Sequence, residues 1–196
     1  MTRWQQFYKE EPELALVGHS NCVVRSTELF KKHMCQSILD VACGTGRESR
    51  YMASSFPFVI GADYSIAGLN LAKEKGTVNL IQSDARKLPF RDASFDGVYC
   101  YGLLHEFCGS DAPSNVEMVM KEIKRVIQSN GLLLLAVLEG DPINGDPELP
   151  KVQLFSDTMF FDAATGFDLL EYKAYNDISC TGNTFYHVHY GAFMKS

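Results

Sequence analysis

The chain has 196 residues, 46% of them hydrophobic and 21% charged, which at roughly 100–200 residues per domain predicts one packed domain and excludes disordered, collagen-like and coiled-coil chains. Lys and Arg number 18 against 24 Asp and Glu, a net charge of −6 with no basic cluster beyond Lys121-Glu-Ile-Lys-Arg125, so binding to nucleic acid through a basic surface is not expected. The longest apolar run, 132–138, is seven residues where a membrane span needs about 20, and the first residues lack the apolar h-region of a secretory signal; the expected location is the cytoplasm, with no membrane partner.

In chain order, residues 1–36 read as one or two helices. Compact apolar runs without alternation, suited to strands covered on both faces, fall at 37–41, 56–62, 78–83, 95–101 and 131–138. Between the last two, Val116, Val119, Met120, Ile123, Val126 and Ile127 form a helical stripe, and Ser114 with Glu117 makes a capping box. Residues 140–147 are loop chemistry, after which Ser156 is placed to cap a short helix ending before Gly166. Segments 167–176 and 184–194 are too close in sequence for a crossover helix and predict an antiparallel hairpin. The predicted fold class is α/β, a doubly wound, mostly parallel seven-stranded sheet with an antiparallel C-terminal hairpin. All of it is read as a single domain: 1–36 a helical appendage, 37–139 the core, 140–196 the closing helix and hairpin.

Cys22, Cys35, Cys43, Cys100, Cys108 and Cys180 show no C-x-x-C pair and no histidine at zinc-finger spacing, so reduced, mostly buried thiols are expected, with no disulfide and no metal. His187 and His189 share a strand face without a third ligand, which favours hairpin packing over a metal site.

The strongest chemical signal is Ser37-Ile-Leu-Asp-Val-Ala-Cys-Gly-Thr-Gly46-Arg-Glu-Ser-Arg-Tyr-Met-Ala53, a strand, a tight glycine turn and a helix. Gly44 and Gly46 allow a backbone to approach a ligand where a Cβ would collide, and Thr45 with Glu48 reads as a second capping box. Asp63 ends the second strand 23 residues after Asp40, where a carboxylate accepts from both hydroxyls of a ribose. Ser49 stands where a dinucleotide fingerprint needs its third glycine, and no G-K-[ST] follows, which argues against a pyrophosphate and a P-loop.

Leu39-Asp-Val-Ala-Cys-Gly-Thr-Gly46 resembles the first motif of the class I S-adenosylmethionine-dependent methyltransferases. Gly61-Ala-Asp-Tyr-Ser65 is similar to that family's second-strand acidic motif, and the stretch from Gln82 through Asp84 to Gly97 to its adenine-binding segment and fourth strand. Lys121 to Leu134 resembles its following helix, turn and fifth strand. The resemblance runs from about 36 to 139 and implies a Rossmann-like fold, S-adenosylmethionine as cofactor and S-adenosylhomocysteine as product. It also implies roles: Gly44 and Gly46 along the methionine portion, with Ala42 in the same turn; Asp40 orienting it; Asp63, with Tyr64 beside it, at the ribose; Asp84 and Ala85 at the adenine; Tyr101 near the sulfur. Trp4-Gln-Gln-Phe-Tyr8 resembles the aromatic opening that folds over the cofactor in several small members, placing Tyr8 there, and Arg25 is a candidate partner for the cofactor carboxylate.

Methyl transfer from a sulfonium needs mainly alignment and exclusion of water. His105, just past the fourth strand, is the candidate base, with Glu106 as the lesser one. The expected acceptor is a small molecule, among them thiol-like ones, because the chain is acidic and has little sequence for a recognition domain. Open beside it stand a non-catalytic cofactor-binding subunit, a methyltransferase acting on protein or nucleic acid, and, more distantly, an NAD(P)-dependent oxidoreductase. Oligomeric state is not legible.

Overall fold

The computed structural model describes residues 3–10, 12, 18–77, 79–139, 153–178 and 185–196. Two helices, α1 (Arg3–Glu10) and α2 (Asn21–Lys32), precede the first strand. The chain then alternates β1 (Ser37–Val41), α3 (Arg47–Ala53), β2 (Phe58–Asp63), α4 (Ile66–Glu74), β3 (Leu80–Gln82) and β4 (Phe95–Tyr101). A 3₁₀ turn (Leu104–Glu106), α5 (Ala112–Val126), β5 (Ile127–Leu138), α6 (Asp157–Ala163), β6 (Asp168–Ile178) and β7 (Phe185–Met194) complete it. The predicted strands β1 and β4 coincide with the observed ones. The start of β3 at Val78, the 140–147 loop, the hairpin turn and Cys180 lie outside the described residues.

The seven strands form one sheet in the order β3-β2-β1-β4-β5-β7-β6. Strands β1 to β5 pair parallel, and β7 pairs antiparallel with both β5 and β6. The hairpin thus folds back so that its second strand, not its first, joins the core. Strand β5 shows why apolar runs mark such strands: Leu133, Leu135 and Val137 enter the core under α5 and α6, while Leu132, Leu134, Ala136 and Leu138 enter the one under α2 and α3. No described helix is long and apolar enough to cross a membrane.

Two local expectations are corrected and one holds. Ser114 does not cap α5: the helix starts three residues earlier, after Asp111, with Pro113 in its first turn, where proline's fixed φ and missing N–H are tolerated. The Ser114 hydroxyl instead donates to the Asp111 carbonyl (2.9 Å). Strand β5 begins at Ile127, paired with Phe95 just ahead of a bulge between Phe95 and Gly97, so the last apolar residue of the helical stripe belongs to the sheet. Ser156 does cap α6, accepting from the Met159 N–H (3.3 Å).

The bottom of the sheet is fastened by Asp96, whose Oδ2 accepts from the backbone N–H of Gln36 and Ser37 (both 2.8 Å) and the Ser37 hydroxyl (2.9 Å). In the hairpin, His189 is buried with Nδ1 2.8 Å from Tyr172 Oη and Nε2 2.9 Å from the Phe155 carbonyl oxygen, tying β7 to β6 and to the segment before α6.

Candidate active site

Chain order puts β1 and β4 side by side although β2 and β3 come between them in sequence, so successive connections leave in opposite directions. The crevice at such a switch point, outside the carboxyl ends of the strands, is where open α/β sheets hold ligands. A cavity of about 810 Å³ lies there, within the range of roughly 300–1,000 Å³ for small-molecule sites. Asp40, Ala42, Gly44, Asp63, Tyr64, Asp84, Ala85, Tyr101, Tyr8 and His105 all line it. Two predicted residues do not.

Gly46 is the first. Its φ of +68° is one that L side chains rarely adopt, and a Cβ there would meet Thr77 Oγ1 at 2.5 Å and Ala72 Cβ at 3.1 Å, so this glycine lets α3 pack against α4 and makes no room for a ligand. It also occupies the N-cap position of α3, without a side-chain bond. The Thr45–Glu48 capping box is therefore absent, and Glu48 Oε1 accepts from the Ser20 N–H (3.0 Å) instead. Gly44 does face the cavity: at φ +53° a Cβ would meet Tyr8 Oη at 2.5 Å, so α1 rests where the turn is bare. Helix α1 is held by Gln5, whose Oε1 accepts from the Ser65 hydroxyl (2.7 Å) at the start of α4.

Arg25 is the second. On α2 it forms a two-bond fork with Glu171 of β6 (2.9 and 2.5 Å) and a third bond to Glu28 (2.9 Å), because those carboxylates, and not the cavity, are within its reach. The cavity's own cation on that side is Arg47, which the sequence reading passed over. Only 9% of its side chain is exposed; Nε bonds Glu48 Oε2 (2.7 Å), Nη1 donates to the Gly18 carbonyl (3.1 Å), and the guanidinium lies 5.8 Å from the Tyr101 ring centroid. The signal was available: Arg47 is the first residue after the glycine turn.

The acids differ in what holds them. Asp40 is buried at the end of β1 and accepts from Ser49 Oγ (2.5 Å). Burial pushes its carboxyl up to about 7; the Ser49 bond opposes this, and Glu48 and Asp63 add to it. Asp63 takes the Gly44 N–H on Oδ2 (2.8 Å) and the Ser65 N–H on Oδ1 (2.7 Å), joining the glycine turn to the end of β2. Burial raises it against those bonds. Asp84 is held below the usual carboxylate range by Arg86, whose Nη2 lies 2.6 Å from Oδ2.

The 84–92 loop is clasped from α5. Asn115 accepts from Arg86 (2.8 Å), Glu122 accepts from the Leu88 N–H (2.7 Å), and Arg125 donates to the carbonyls of Leu88 (3.0 Å) and Phe90 (2.7 Å). At the other end of the cavity, the Leu138 N–H donates to His105 Nδ1 (3.2 Å), and Nε2 lies 3.7 Å from Glu106 Oε1. Cys43 and Cys108 also line the cavity; burial raises the Cys43 thiol.

The family model described as "Methyltransferase domain" matches residues 39–135. A protein of Aspergillus nomiae named as an O-methyltransferase is 30% identical over 163 residues, covering 74% of this chain and 69% of that protein. The chain belongs to the class I S-adenosylmethionine-dependent methyltransferases. A protein of Encephalitozoon cuniculi named as a methyltransferase is 35% identical over 100 residues; these cover 51% of this chain and 44% of that protein, so the chain matches under half of that relative's length. The crystal structure of an S-adenosylmethionine-dependent methyltransferase from Methanosarcina mazei shares the fold, with a TM-score of 0.71 at 19% identity over 85% of this chain and 96% of that one.

Proposed function

We propose that this chain transfers a methyl group from S-adenosylmethionine to a small-molecule acceptor and releases S-adenosylhomocysteine. The observation that carries the reading is the single cavity that joins the Gly44 turn, Asp63, Asp84 with Ala85, and the end of β4. Its residues fit the cofactor. Ser83 Oγ, on the same wall as Asp84, is buried with no hydrogen-bond partner among the described residues, and an unsatisfied buried hydroxyl costs about 1–3 kcal/mol, which a polar ligand relieves.

Bound, the cofactor supplies an electrophilic methyl on a cationic sulfur. Asp63, acceptor-only when ionised, faces the cavity where it can accept from the ribose hydroxyls. Asp84, kept ionised by Arg86, accepts from the adenine amino group while the Ala85 N–H donates to the ring. Ala42 and Gly44 border the methionine portion over Asp40, Tyr101 borders the sulfur, Tyr64 flanks the ribose, and Tyr8 covers the turn from α1. Arg47 takes the carboxylate role expected of Arg25. Alignment of this kind contributes roughly 7–11 kcal/mol to methyl transfer.

The bond from Leu138 fixes neutral His105 with its proton on Nε2. The ring therefore presents a donor, and proton acceptance passes to the neighbouring Glu106 carboxylate. Titration of S-adenosylhomocysteine into the wild type, Asp63→Ala and Asp84→Ala tests the site. Loss of two charge-assisted hydrogen bonds at about 1.5–3 kcal/mol each predicts an affinity at least ~100-fold lower for Asp63→Ala. Wild-type affinity in both variants refutes the assignment, and binding without turnover of any acceptor favours the non-catalytic subunit.

A further inference from the structure

A second cluster of titratable groups lies away from the cavity, where α6 meets the hairpin. Its members are Asp157 at the start of α6, Tyr172 on β6 and His189 on β7. His189 is 1% exposed, whereas 72% of the Asp157 side chain is open to solvent. The Tyr172 hydroxyl lies 2.8 Å from His189 Nδ1 and 2.7 Å from Asp157 Oδ1, and His189 Nε2 lies 2.9 Å from the Phe155 carbonyl oxygen. His189 Nδ1 and Asp157 Oδ1 are themselves 3.5 Å apart.

These three contacts are not all hydrogen bonds in every charge state. A carbonyl only accepts, so Nε2 carries a proton, and the Tyr172 hydroxyl has one proton to give. With a neutral ring, Nδ1 and an ionised Asp157 compete for that one proton, and the loser faces a lone pair across a hydrogen-bond distance. With an imidazolium, Nδ1 donates to Tyr172 Oη, Tyr172 donates to the Asp157 carboxylate, and all three contacts are satisfied. The titratable groups around the ring are Asp157 from α6, Tyr172 from β6 and Glu139 just after β5; its cross-strand neighbours Val137 on β5 and Ala174 on β6 are apolar. The two carboxylates offset the imidazolium charge. The ring also stacks on Phe160 and Tyr172, with centroids 5.4 and 5.9 Å away, and aromatic faces are electronegative. Burial, and then the bond to Asp157, raises the Tyr172 hydroxyl, which keeps it a donor.

We propose that His189, Tyr172 and Asp157 form a proton-operated latch. Uptake of one proton by His189 completes the chain from the Phe155 carbonyl through His189 and Tyr172 to Asp157 and fastens the start of α6 to the hairpin. Its release frees Asp157 to solvent. Histidine ordinarily gains that proton near about pH 6.5 and aspartate loses its own near about pH 3.9, so the latch is shut in mildly acid solution and open in mildly alkaline solution. The shut form holds one proton more than the open form, so its contribution to stability grows as the pH falls towards about 5.5 and is lost as the pH rises to about 8. The anchored segment also bonds the cavity wall, through the Gln153 N–H to the His105 carbonyl (2.6 Å) and the Phe155 N–H to the Leu138 carbonyl (2.9 Å).

Magnetic resonance of isotope-labelled histidine ring nitrogens tests the latch in the wild type. His189 is expected to carry protons on both nitrogens at about pH 5.5 and on Nε2 alone at about pH 8. Urea titrations then give folding constants for wild type, Asp157→Asn and Tyr172→Phe at both pH values. Asn keeps the size of Asp157 and an accepting oxygen but not the charge, and the aspartate's interaction with the helix start is the same at both pH values and cancels. The wild-type advantage over either variant should be at least about five-fold larger at the lower pH, the scale of one charge-assisted hydrogen bond. A His189 ring with a single proton at about pH 5.5, or with both still in place at about pH 8, overturns the proposal whether or not the variants fold. An advantage over either variant that is equal at the two pH values overturns it as well.

Discussion

Asp40→Asn should make the protein more stable at neutral pH, by an amount that grows as the pH rises. The folded state raises this buried carboxyl from its ordinary 3.8 to about 7, so between those values the native protein holds a proton that the unfolded chain has released. Stability from this group is therefore lost as pH increases from about 4 to about 7. At about 1.36 kcal/mol per pH unit of difference, three units give about 4 kcal/mol, an order of magnitude for the cost of the ionised form. Asn has nearly the shape of the protonated acid, and its amide oxygen can still accept from Ser49 Oγ, but it does not titrate. The variant and wild type should then match near pH 4 and diverge by about 4 kcal/mol at pH 8, read as a shift of urea midpoint at unchanged slope. All other titrations are shared and largely cancel. A stability difference that stays flat from pH 4 to 8 would show that Asp40 is ionised throughout and refute the reasoning.

The two arginines separate binding from scaffolding. Arg25→Ala should leave S-adenosylhomocysteine affinity within about two-fold and cost under ~1 kcal/mol of stability, since its ion pairs are partly exposed, whereas Arg47→Ala should weaken binding at least ~ten-fold through a lost charge-assisted bond; calorimetry and thermal melts check both. Arg125→Ala frees the Leu88 and Phe90 carbonyls and should cost about 2 kcal/mol, with faster hydrogen exchange across residues 84–92. At Asp96, burial opposes ionisation, but the bonds from Gln36 and Ser37 prevail and hold it below its ordinary value. Its contribution is thus present above about pH 4 and lost as pH falls through the depressed value, so Asp96→Asn should be less stable than wild type at pH 7 and converge on it below pH 3 in urea titrations.

The sheet was legible because its strands are buried on both faces, which turns each into an unbroken apolar run such as Leu132 to Leu138. Strand order was less so: that β7 sits between β5 and β6 depends on pairing across the whole chain, which no local pattern encodes. The capping boxes failed for a related reason. S-x-x-E spacing occurs at Ser114 and Thr45, but Pro113 had already opened one helix, and the packing of Gly46 against Thr77 set the start of the other. Most of the candidate site followed from residues at strand ends, because the fold brings those ends together. What escaped was anything set by a long-range partner: Glu171 drew Arg25 away, Glu48 held Arg47 in place, and the Leu138 N–H fixed the proton on His105.

Co-crystallisation with S-adenosylhomocysteine is the measurement closest to the central claim that this crevice is the cofactor's seat. The account predicts difference density with both ribose hydroxyls within hydrogen-bonding distance of Asp63, the adenine amino group at Asp84 and the carboxylate at Arg47. Density elsewhere on the protein, or an orientation that leaves Asp63 without a ligand contact, would contradict it.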